Sequence, residues 1–236
     1  MRIVIAGGHG KIARELTRML AADGNEVVGL IRSEAHGADL MVDGATPVVL
    51  DLEHAPAADV ARALAGADVA VFAAGAGAGS GDARKESVDL GASVLLADAA
   101  EAAGVPRLIQ ISSTGVDQVR GGASPDSVPA DFVAYLRAKL AAEEDLIARP
   151  LAWTIVRPGG LIDDAATGAV RLELTGPRHT AAGHTEAGQP EQRGTVPRAD
   201  VAAVLAELIR TGAGNHRVLH LISGTVPVAD AVAALG

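Results

Sequence analysis

Short apolar runs alternate with stretches of helical period along the whole chain. Ile3 to Ala6, Val27 to Ile31, Val48 to Leu50, Val69 to Ala73, Leu108 to Ile111, Thr154 to Val156 and Val218 to Ile222 are nearly continuous in apolar residues, which predicts strands buried on both faces. Lys11 to Ala22, Ala57 to Leu64, Ser87 to Ala103, Asp131 to Ala148 and Arg198 to Arg210 repeat apolar residues every three or four positions, which predicts helices. Buried strands separated by helices imply an α/β domain, a doubly wound parallel sheet covered on both faces, with its ligand crevice outside the C-terminal ends of the strands. Residues 74–82, 120–130 and 176–194 break the alternation and are expected near the mouth of that crevice. The last of these opens with a polar, glycine-rich run from Gly176 to His184, which reads equally as a lid over a ligand and as a solvated loop.

The first strand runs straight into Gly7-Gly8-His9-Gly10-Lys11-Ile12-Ala13 and then into a helix. Such a junction suits a dinucleotide. Gly7 permits a tight turn, Gly10 leaves no Cβ between backbone and pyrophosphate, and Ala13 lets the helix pack close to the strand. The anion would sit on unpaired N–H groups at the positive end of the helix dipole. The alternative is a plain strand-to-helix turn without a ligand.

At 236 residues the chain is expected to form one domain, with a nucleotide-binding core over about residues 1–158 and 216–222 and substrate-side segments over about 159–197. The absence of cysteine excludes disulfides, thiolate catalysis and cysteine-based zinc sites, and points to a cytoplasmic protein. The longest stretch free of Asp, Glu, Lys and Arg is Val69 to Gly81, 13 residues, so no membrane span is expected, and no secretory leader either. A net charge of −9 and four aromatic residues argue against a nucleic-acid partner.

Arg32 stands just past the second strand, where such folds meet the adenosine ribose. A carboxylate there suits the two ribose hydroxyls of NAD(H); a guanidinium fork suits a 2′-phosphate and favours NADP(H). Arg32 also reads as a solvated strand-end cation, and Glu34 lies close by. The single tyrosine, Tyr135, precedes Lys139, one of three lysines, by four residues, which places both on one helix face. A phenol beside an ammonium can give or take a proton. Alternatively, Tyr135 flanks a packed stripe of Phe132, Leu136 and Leu140. His216 and His220 mimic a metal pair but fall at or in an expected strand, about 13 Å apart; His179 and His184 read as solvated loop residues, and no metal site is expected. Glu143-Glu144-Asp145 reads as a solvated helix face.

These features together resemble the short-chain dehydrogenase/reductase superfamily, specifically its atypical, NmrA-like NAD(P)H-binding branch with a Rossmann fold, over nearly the whole chain. The resemblance implies cofactor contacts from Gly7, Gly8, His9, Gly10, Lys11 and Ile12, from Asp51-Leu52 at the adenine, from Ala73-Ala74-Gly75 after the fourth strand, and from Pro158-Gly159-Gly160-Leu161 at the nicotinamide end. It implies that Ser113 polarises a substrate oxygen, that Tyr135 transfers the proton, and that Lys139 supports both Tyr135 and the nicotinamide ribose. Asp89 departs from the family, standing where many relatives carry a catalytic asparagine; an ionised carboxylate accepts hydrogen bonds but cannot donate them. The resemblance therefore implies cofactor binding more strongly than turnover. An NADPH-dependent oxidoreductase acting on a small carbonyl or quinone-like acceptor leads, followed by a non-catalytic NADP(H) sensor. An epimerase or dehydratase comes third, since only 97 residues follow Lys139 to form a substrate lobe.

Overall fold

The structure, a computed structural model, describes every residue except 78, 176–177, 180–184 and 187–192. Its strands are β1 (Arg2–Ala6), β2 (Glu26–Ile31), β3 (Ala45–Val49), β4 (Val69–Phe72), β5 (Arg107–Ile111), β6 (Ala152–Pro158), β7 (Gly160–Ile162), β8 (Ala169–Thr175), β9 (Arg178–His179), β10 (Thr185–Glu186), β11 (Thr195–Pro197), β12 (Arg217–Ser223) and β13 (Val226–Pro227). The helices are α1 (Lys11–Ala22), α2 (Gly37–Val42), α3 (Ala57–Leu64), α4 (Asp82–Arg84), α5 (Ser93–Ala103), α6 (Ala130–Ile147), α7 (Arg198–Thr211) and α8 (Val228–Ala233). A π-helical stretch, Lys85–Ala92, joins α4 to α5, and 3₁₀ turns occupy Glu34–His36 and Val116–Gly122.

The main sheet has the order β13-β8-β12-β6-β5-β4-β1-β2-β3. The order reverses at β1, and the gap between the C-terminal ends of β1 and β4 is the crevice of a doubly wound fold. Side chains alternate between two cores. Ile3 and Ile5 face Leu16 of α1 and Leu205 of α7, whereas Val4 and Ala6 face Leu64 of α3 and Leu96 of α5.

The sheet is not wholly parallel: β8 runs antiparallel to both its neighbours, β12 and β13. Only the residues from Gly159 to Gly168 separate β6 from β8, too few for the helical crossover that a parallel return requires. The turns before α2, and α2 itself, lie where no helix was expected; Leu40 alone of α2 is buried. The helix expected from Ser87 begins earlier, at Asp82, and is π-wound from Lys85 to Ala92, with Lys85 and Asp89 both buried.

Glu143 corrects the expectation of a solvated acidic face. It is 1 % exposed and takes Arg157 in a fork, with Nε at 2.9 Å and Nη2 at 2.6 Å. Leu136, Lys139, Leu140, Glu143 and Leu146 share the inward stripe of α6. Glu144 and Asp145 turn outward to Arg120 and Arg149. Burial pushes the Glu143 carboxyl up, against the pull of Arg157. The other end of Arg157 reaches Asp117 at 2.8 Å, in the 3₁₀ turn. Burial works to raise the Asp117 carboxyl as well, but hydrogen bonds from Arg157 and Arg120 hold it below the usual carboxylate range. This chain of charges fixes β6 against α6, just before the Pro158–Leu161 segment. Phe132 does not join the packed stripe; it is 43 % exposed.

A depressed carboxyl contributes stability above its unfolded pKa, near 3.9, and loses it as pH falls through the lower folded value. Asp117→Asn is expected to lose roughly 0.5–1 kcal/mol near neutral pH, a figure discounted for the 41 % exposure of the Asp117 side chain. Urea denaturation at stepped pH should show the gap from the native protein closing below about pH 4; a gap undiminished in acid would contradict the ion pairing.

Candidate functional site

The turn after β1 depends on Gly7, which holds φ at +76°, a conformation that favours glycine. A Cβ there would lie 2.7 Å from the backbone N and Cα of Ala74, so the loop after β4 packs directly against this turn. Gly10 accepts no side chain freely either, since its Cβ would meet the Gly7 carbonyl at 3.2 Å. The Gly10 N–H donates to that same carbonyl at 2.8 Å. Helix α1 then begins with no side-chain cap and no acidic residue in its first turn. The amides at the head of a helix have no partner within it, and here they stay available to an anion. Ala13 is fully buried against the sheet, as its size suggested.

Two cavities meet at this turn, sharing Ala73 to Gly77. The first, of about 330 Å³, is bordered by Gly7, His9, Gly10, Arg32, His36 and the Asp51-Leu52 pair, among others. Arg32 is exposed at the end of β2. Burial acts to raise the Asp51 carboxyl, but His54, the Glu53 N–H and the charge of Arg32 hold it low. His9 and His36 stack face to face, ring centroids 3.8 Å apart and planes within 2°. The Nε2 of His9 lies 2.7 Å from Asp39, so the glycine loop is tied to α2.

The second cavity, of about 600 Å³, brings together Ser113, Tyr135, Lys139, Asp89, Ile12 and the Pro158–Leu161 segment. Asp89 is fully buried, 3.1 Å from the Lys139 ammonium, and accepts the Ala76 N–H at 3.2 Å. Lys139 also donates to the Ile111 carbonyl at 3.1 Å, with its Nζ 5.9 Å from the centre of the Tyr135 ring. The carboxylate therefore joins the lysine to the loop after β4. Ser113 donates to the Thr114 carbonyl at 3.1 Å. Gly159 has no room for a side chain, since its Cβ would fall 2.3 Å from the Gly194 carbonyl.

Two of the expected cofactor residues line neither cavity. Gly8 packs on Gly29, where its Cβ would come within 2.9 Å of a Cα, and the Lys11 side chain pairs with Asp163 at 2.6 Å. Conversely, His36, Arg84, Lys85 and Arg198 border the cavities without having been singled out, and Phe132, read as part of a packed stripe, borders the larger one. Lysine scarcity was a usable signal: Lys11 stands on the glycine turn, and Lys85 and Lys139 border the larger cavity. His216 precedes β12, with its ring edge-on to Trp153, and His220 is buried within the strand; the expected strand geometry holds. Among the described residues no group of three or more His, Cys, Asp or Glu side chains is arranged for a metal, and no helix is long and apolar enough to cross a membrane. His184 and most of the expected lid at 176–194 lie outside the described residues.

Gly7→Ala should combine left-handed strain with a collision against Ala74 and lose about 3 kcal/mol or more of stability. Gly24 is equally left-handed, at φ +78°, but has no atom within 4 Å of a built Cβ; Gly24→Ala should lose only about 1 kcal/mol. Chemical denaturation of the two variants checks this, and equal losses would refute the packing of the two loops.

A family model described as NAD(P)H-binding matches residues 7–211. A Bacillus subtilis protein named as an uncharacterised sugar epimerase is 29 % identical over 236 residues, with 100 % of both chains covered. A solved structure from Bacillus halodurans, named as a candidate NAD-dependent epimerase/dehydratase, is 33 % identical with a TM-score of 0.84, again covering 100 % of both chains. A third relative, an Escherichia coli protein named as an anaerobilin reductase, is 29 % identical with a TM-score of 0.74, covering 94 % of this chain and 97 % of its own. The turn after β1, the crevice at the reversal of the sheet and these matches agree: the chain belongs to the NAD(P)H-binding family.

Proposed function

We propose that the protein is an NADPH-dependent reductase of a small carbonyl or quinone-like acceptor. The observation that carries this reading is the grouping of Ser113, Tyr135 and Lys139 on the wall of a cavity continuous with the glycine turn. The fit of a dinucleotide rests on the uncapped head of α1 and on a turn that a Cβ would fill. The α1 amides would take the pyrophosphate, Asp51 the adenine side, Lys139 the nicotinamide ribose, and Arg32 with the His9–His36 stack a 2′-phosphate. The bound cofactor supplies a hydride. The chain's own groups do the rest: Ser113 donates a hydrogen bond to the acceptor oxygen, and Tyr135 delivers a proton to it from its hydroxyl. Lys139, anchored by Asp89, keeps positive charge beneath the ring.

Relatives named as a sugar epimerase and as an epimerase/dehydratase support a second reading, in which the same cavity oxidises and re-reduces one substrate. The two differ in balance, because an epimerase returns its cofactor unchanged and a reductase consumes it.

Calorimetric titration should show NADPH binding about tenfold more tightly than NADH, the worth of one charge-assisted contact. Arg32→Ala should abolish that preference while leaving NADH affinity within about twofold; equal affinities in the native protein would end the phosphate assignment. Stopped-flow mixing with a panel of quinones, aldehydes and ketones should oxidise bound NADPH. Tyr135→Phe should slow that step by about 100-fold or more without weakening cofactor binding, and undiminished turnover would remove Tyr135 from the mechanism.

A further inference from the structure

Lys85 has no part in the proton-transfer set, yet its side chain is only 9 % exposed and borders the larger cavity. It sits at the head of the π-helical stretch, a winding that recurs at functional sites, and four residues before Asp89, with both side chains buried. An ammonium has three N–H donors. One goes to the Asp131 carbonyl at 2.7 Å, and one to Asp82 at 3.0 Å. Asp82 is 71 % exposed, so water screens its charge and offsets that of Lys85 only in part. Asp89, the buried carboxylate of this cavity, is engaged by Lys139 and the Ala76 N–H. The remaining charges on the cavity wall are the exposed Asp131 carboxylate and Arg198, which is already paired with Asp163 at 2.6 Å. With two of its three donors engaged by the protein, the ammonium keeps one for a ligand in the cavity it borders.

We propose that Lys85 anchors a carboxylate on the acceptor, so that the cavity selects carboxylate-bearing apolar carbonyl compounds. The proposal rests on the reading of this cavity as the acceptor site. Phe132, 43 % exposed, and Leu161, 36 % exposed, supply the apolar wall, and the third N–H of Lys85 supplies the charge-assisted bond.

The test compares 2-naphthoate with 2-naphthamide, which match in shape and differ in charge, by calorimetry on the protein saturated with NADP⁺. The native protein should bind the naphthoate about tenfold more tightly. Lys85→Met should erase that difference while leaving NADP⁺ affinity unchanged, and Lys85→Arg should keep most of it. Because Lys85 also steadies the start of α6, the native comparison and the arginine variant carry the test if Lys85→Met is unstable. No preference in the native protein, or a preference that survives Lys85→Met, overturns the anchor while leaving the reductase reading intact. Failure to take up NADP⁺ would instead defeat the reductase reading, and the anchor with it.

Discussion

The close contact between Gly7 and Ala74 sets the rest of the site. Two loops leave neighbouring strands, β1 and β4, at the point where the sheet order reverses, and they touch backbone to backbone because one carries no Cβ. That contact brings the head of α1 up against the Ala73–Gly77 segment, and both cavities are bordered by that segment. Any side chain at Gly7 would drive the loops apart and separate the head of α1 from the larger cavity beyond it.

Buried charge holds the opposite wall. Asp89 joins Lys139 to the Ala76 amide, and Glu143 with Asp117 clasps Arg157 just before the Pro158–Leu161 segment. The Asp89–Lys139 and Glu143–Arg157 pairs, buried on both sides, add little net stability, but removing one partner leaves a desolvated charge behind. They fix geometry more than they stabilise the fold. A carboxylate at position 89 can face the lysine ammonium and accept an amide hydrogen bond, and both of its contacts here require an acceptor.

Much of this was legible in the sequence. Continuous apolar strands, the glycine turn and the four-residue offset between Tyr135 and Lys139 arise from local period and backbone freedom, and the structure carries all three. What escaped depends on packing or connection length. β8 alternates charged and apolar residues as an antiparallel strand does, and its direction follows from the short link to β6. Glu143 hid inside a run of three acidic residues, although its helical phase matched Leu136, Lys139 and Leu140. Lys85 was missed because it precedes the expected start of its helix at Ser87, although it stands four residues before Asp89, the ordinary helical offset. His36 reached the site through a 3₁₀ turn too short to show a period.

The central claim is that the amides at the head of α1 receive the cofactor's diphosphate. Amide hydrogen exchange over residues 7–13, measured with and without NADPH, tests it most directly. The account requires strong protection of that segment on cofactor addition, with little change along β8 and β13 at the far edge of the sheet. Nucleotide binding that leaves residues 7–13 exchanging as fast as before would contradict it.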